Sequence, residues 1–193
     1  MNLNPDPNDS IRLEALAQQA TGYALHMLRN TGSVPPTAIA DTADGFIFCM
    51  PPGMPDEAAK DRFADVARLL AIAHGARAIV MVAEAWVRMA EPGIRLDTAT
   101  PPSQSPDRQE MVVLMLEDQT RSATGLLPIL REGSGAFQKF GQSPALNFTS
   151  TSGRFTGLMP KHMPGASEVA MAKAELLKLG MCVVNQGFDP SLN

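Results

Sequence analysis

Cysteine is nearly absent: Cys49 and Cys182 are the two in 193 residues. Neither belongs to a CxxC pair, which removes the spacing of a zinc ribbon or a thioredoxin-like site. Both sit in apolar runs, FIFCM and GMCVV, where cysteine serves as a small buried hydrophobe. Histidine is almost as scarce. His26, His74 and His162 form no HxH, HExxH or HxE pattern, so no metal site is expected. His74 falls in the last turn of an expected helix, where a protonated imidazole suits the dipole.

Long apolar runs are also missing. The longest, about Ala78 to Val87, is interrupted by Glu84 and is too short to cross a bilayer. The first residues, MNLNPDPNDS, lack the charged and apolar regions of a signal peptide, so a cytoplasmic location is expected. Basic charge is in the minority, with 16 Lys and Arg against 20 Asp and Glu. That balance argues against broad contact with a nucleic-acid backbone, which needs clustered cations. Such contact would fall to Arg154, Lys161 and Lys173. No GxSxG elbow is present, and no GxGxxG follows a strand. Gly133-Ser134-Gly135 with Lys139 lacks the order of a phosphate loop. No cofactor is implied.

What is present is a globular composition, 45% hydrophobic, in a chain long enough for one domain. Residues 1–9 are expected to form a loose arm, with residues 10–193 as a single domain. Ser10 suits an N-cap, and Leu13, Leu16, Ala17, Ala20, Ala24 and Leu28 recur at helical spacing to about residue 30. Residues 37–50 read as extended, with Asp44-Gly45 as a turn. A second helix is expected from Asp56 to His74, closed by Gly75. RAIVMVAEAWVRMA then gives the clearest strand. A proline-rich loop at 91–108 precedes a strand near 110–118. TGLLPILRE follows, where Pro128 suggests an edge or a bulge. Residues 133–144 read as a flexible loop. ALNFTSTSGRFTGLM reads as a hairpin turning at Ser152-Gly153. A last helix from Glu168 to Leu179 is capped by Ser167, and MCVVN can add a short strand. Strands in succession favour an α+β fold: a mainly antiparallel sheet with two to three helices packed on it, on one face.

The chemistry concentrates around Glu84-Ala85-Trp86. Period-two geometry puts Val80, Val82, Glu84, Trp86 and Arg88 on one face. A half-buried Glu84 beside an indole would have a raised pKa, useful for general acid or base work. Its structural alternative is an ion pair with Arg88, Arg108 or Arg131. Asp107, Arg108 and Glu110 cluster at the start of the next strand. They can cap the long loop or hold an anionic ligand. Catalytic candidates are therefore Glu84, Arg108 and Glu110, and binding candidates Trp86, Asp107 and Arg131. Twelve methionines fill the core or line an adaptable groove.

AIVMVAEAWVR followed by PPSQSPDRQEMVVLMLED resembles small bacterial and phage proteins. Those carry a helix, an apolar strand ending in a Glu-Ala-Trp-like triplet, and a Pro-Ser…Arg-Glu loop. The resemblance spans residues 55–131. It implies that Glu84, Trp86, Arg108 and Glu110 form one structural unit, and it brings no activity or catalytic residue with it. MPN/JAB-type metallohydrolases also set a glutamate near a strand, but their zinc ligands need the HxH that is missing here. Two functions are consistent with these residues. One is a non-enzymatic protein-binding or regulatory domain that self-associates through open strand edges as a homo-oligomer. The other is an enzyme with Glu84 as acid or base and Arg108 binding an anionic substrate group.

Overall fold

The computed structural model describes residues 7–89, 99–148 and 153–179. Among them are three helices and six strands: α1 (Pro7–Thr31), β1 (Thr37–Thr42), β2 (Gly45–Cys49), α2 (Glu57–Ala73), β3 (Ala78–Val87), β4 (Gln109–Asp118), β5 (Ser122–Arg131), β6 (Phe137–Phe140) and α3 (Ala166–Lys178). The fold is α+β. The strands form one antiparallel sheet in the order β2-β1-β3-β4-β5-β6.

The helices do not share one face of this sheet as expected. The α1 side holds Leu13, Leu16, Ala20, Tyr23, Ala24 and Leu28 against Ile39, Val80, Val82, Val112, Leu114 and Leu116. The opposite side packs Phe63, Ala67 and Leu70 of α2 and Ala172 and Leu176 of α3 over Ala38, Ala40, Ile79 and Met81. The physical reason lies in β3. Residues 78–82 are apolar and buried on both faces, so each face needs its own cover. No helix among the described residues is long and apolar enough to cross a membrane.

Caps explain the helix limits. Asp56 accepts the Ala59 N–H at 2.7 Å and starts α2. Gly75, at φ +56°, turns the chain into β3. His74 is the C-cap of α2, but burial, aided by Lys173, lowers its pKa and favours the neutral ring over the expected cation. Helix α1 begins at Pro7 rather than after Ser10, in keeping with the preference of proline for a first helical position. Helix α3 is capped at Gly165 rather than Ser167, and Glu168 reaches back to accept the Gly165 N–H at 2.8 Å.

Pro128 sits inside β5 at no cost to the ladder. Its carbonyl points away from β4 and accepts the Gly141 N–H at 2.8 Å, so its missing N–H also faces outward. The same outer edge is covered by the Ser143 hydroxyl on Leu126 O, at 2.7 Å, and by a two-way backbone bridge between Thr124 and Asn147. The expected loop at 133–144 thus contains a tight turn and β6. Among the described residues of the expected hairpin at 145–159, Asn147 bridges to Thr124 of β5 and the chain turns at 153–156. The Ser152 half of its turn, Cys182 and the MCVVN strand lie outside the described residues.

Candidate functional site

Helix α1 stops at Thr31, but β3, β4 and β5 continue past it. The α1-side face therefore changes from apolar to polar where its helical cover ends, and strand alternation places Glu84, Glu110 and Arg131 there. Arg131 grips Glu110 with a fork, Nη2 to Oε1 at 2.6 Å and Nε to Oε2 at 2.8 Å. Its Nη2 also lies 3.5 Å from Glu84 Oε1, while Nη1 donates to the carbonyls of Gly32, at 3.1 Å, and Gly135, at 3.4 Å. Glu84 Oε2 accepts the Val34 N–H at 3.0 Å. Gly32, at φ +77°, makes the reversal that ends α1, so the cluster pins that reversal and the β5–β6 turn to the sheet.

Two carboxylates and one guanidinium leave an excess negative charge in a half-buried place. The three side chains are 17–24% exposed. Burial pushes the Glu84 carboxyl above its ordinary range. The Val34 N–H opposes that, while the hydrogen bond that protonated Glu84 donates to Glu110, and the charge of Glu110, reinforce it. The Arg131 fork holds Glu110 below the usual range against its burial. The environments thus drive the two acids apart, and Glu84 is the one that takes up a proton first.

Trp86 pairs with Glu110 across the strands but remains 42% exposed. The guanidinium of Arg108 lies over its ring, 4.7 Å from the centroid, and donates to Ser103 O at 2.6 Å. Asp107 pairs with Arg88 at 3.1 Å and accepts a hydrogen bond from the hydroxyl of Ser105. That hydroxyl, and then Arg88, hold the Asp107 carboxyl below its usual range. Asp107 and Arg108 thereby fold the 102–108 segment back onto β3. The structure brings Glu84, Glu110 and Arg131 into one cluster and Trp86 with Arg108 into a neighbouring one. The cation facing Glu84 is Arg131, and Arg108 is turned to the indole and the loop.

Glu117 escaped the sequence reading. It is buried, and its carboxylate accepts three backbone N–H groups: Gly157 at 2.7 Å, Leu158 at 2.7 Å and Met159 at 3.3 Å. Arg68 takes the carbonyls of the same segment, including Gly157 O at 3.1 Å. The available signal was the acidic pair Glu117-Asp118 closing an apolar strand. Asp118 is a turn former, accepting from Thr120 N at 2.7 Å and Arg121 N at 2.8 Å.

Cys49 is buried, and burial pushes its thiol up to about 11, away from nucleophilic use near neutrality. Arg154 is paired with Asp61 and Glu57, both at 2.5 Å. Among the described residues no three His, Cys, Asp or Glu side chains gather as a metal site. Comparisons with protein-family models, with curated proteins and with solved structures give no match to this chain.

Proposed function

We propose that this chain is a non-enzymatic protein-binding domain that self-associates in the cytoplasm. The observation that carries this reading is the surface of α3. That helix buries Ala172 and Leu176 on the α2 side, yet Met171 is 69% and Leu177 75% exposed. Met171 stands beside the half-buried Leu69 and Ile72 of α2, giving an apolar surface that the fold leaves uncovered, and such surface favours protein contact. The use of the conspicuous acids points the same way. Glu84, Glu110 and Arg131 spend their hydrogen bonds on backbone groups and on one another, as a clamp does. The alternative enzyme reading draws on the raised pKa of Glu84. It asks Arg108 for an anion site, while that guanidinium is already stacked on Trp86. Light scattering over a concentration series tests the proposal. A mass rising from monomer to dimer supports it, and a monomer throughout, with no partner captured, removes it.

A further inference from the structure

We propose that a second copy of this chain docks antiparallel in the groove between α2 and α3, its own α3 lying against the first, about a two-fold axis at the level of residue 173. This rests on the self-association proposed above and specifies its surface.

The groove is lined by Leu69 and Ile72 of α2 and by Met171, Ala174, Glu175 and Lys178 of α3, with Glu168 at its end. Its volume of about 480 Å³ gives room for inserted side chains. On α3 the stripe Val169, Ala172 and Leu176 turns to α2. The next stripe round the helix, Met171, Ala174, Glu175 and Lys178, faces the groove and is exposed.

Charge selects the occupant. Along this flank α3 is acidic at its start, Glu168, and basic at its end, Lys178. An antiparallel copy with its axis at residue 173 sets Glu168 beside Lys178 of the second copy, twice by symmetry. The same orientation opposes the helix dipoles favourably. The contact Lys178 now makes is an exposed pair with Glu175 at 2.8 Å, one turn away. Exposed pairs of that kind are worth little and exchange readily. Met171 and Ala174 of both copies, with Leu69 and Ile72, supply the apolar centre. A parallel copy would set Glu168 near Glu168, and a strongly acidic partner would meet Glu168 and Glu175 unfavourably.

Sedimentation of the full chain and of three variants tests this, with circular dichroism confirming the fold of each. Wild type is expected to dimerise, and M171E to dissociate at least tenfold more easily. E168K, which also gives up the Glu168 cap on the Gly165 N–H and the pair with His162, and K178E each place like charges together at both ends and are expected to be monomeric. An equimolar mixture of the two restores both pairs and is expected to form a heterodimer. Dimers of unchanged affinity in M171E, or a mixture no tighter than its components, would overturn the groove while leaving self-association in place. A wild type that is monomeric at every concentration would overturn both.

Discussion

Arg131 is the residue on which the polar end of the sheet turns. It binds one carboxylate with a fork, approaches a second, and holds the carbonyls of Gly32 and Gly135. Arg131→Met keeps the length of the side chain and removes the charge, leaving Glu84 and Glu110 facing each other in a half-buried site. Stability is expected to fall by about 2–4 kcal/mol in urea titrations, somewhat less than removing one partner of a fully buried pair costs. Lys at this position supplies charge without the fork and should recover a minor part of it. The two acids pull stability in opposite directions with pH. Glu110 has a lowered folded pKa, so its contribution is present above the unfolded value and is lost as pH falls through the folded one. Glu84 has a raised folded pKa, so its charged form costs stability at neutral pH, and that cost is relieved as pH falls through the folded value toward the unfolded one. Glu84→Gln keeps an oxygen for the Val34 N–H and never ionises. It is expected to be at least as stable as wild type at pH 7 and to lack the stability gained on mild acidification. A mutant that parallels wild type from pH 7 to pH 5 would show that Glu84 does not titrate there.

At the scale of elements, the sequence made some features plain and hid others for identifiable reasons. Asp56 and Gly75 bracket α2 because a cap and a left-handed glycine are local chemistry, readable without the fold. The strand β3 is equally plain from its β-branched run. The two-sided arrangement of helices was written in the same strand, since Ile79 and Met81 are as apolar as Val80 and Val82, but a succession of antiparallel strands is equally compatible with helices on one face. Among the candidate residues, Glu84, Glu110 and Arg131 do meet, and strand alternation made that foreseeable. The choice of Arg131 over Arg88 and Arg108 depends on strand order and register, which no local pattern reports. Glu117 was hidden because its partners are backbone groups 40 to 42 residues away. Its role gives an element-scale prediction. Glu117→Ala strips an acceptor from three N–H groups of the 157–159 segment, which covers the α2 side of the sheet through Leu158 and Met159. A loss of about 3 kcal/mol is expected, because charged hydrogen bonds vanish and buried donors are left unpaired. Proteolysis should then cut first near that segment. An unchanged cleavage pattern would mean that Arg68 alone suffices to hold it.

For the whole molecule, the distribution of burial sets an order of opening. Strand β3 lies between β1 and β4, and its residues 78–82 are sealed between α1 on one side and α2 on the other. Its amides, with those of β4, are expected to exchange slowest, close to the global unfolding limit. Helix α3 comes last in the described chain and adds Ala172 and Leu176 to the core, so as a monomer it opens with little loss of buried surface. Its amides should exchange many times faster than those of β3 in dilute solution. A second copy seated along α3 changes this in a way that no intramolecular contact does, because protection then follows dimer concentration by mass action. Raising the protein concentration is expected to slow exchange in α3 and in the Leu69–Ile72 turn of α2, while β3 and β4 stay unchanged. M171E should hold α3 at the fast rate at every concentration. If protection rises uniformly across the sheet, the dimer forms by pairing open strand edges, and β2, which has no partner on its outer side among the described strands, is the edge to examine.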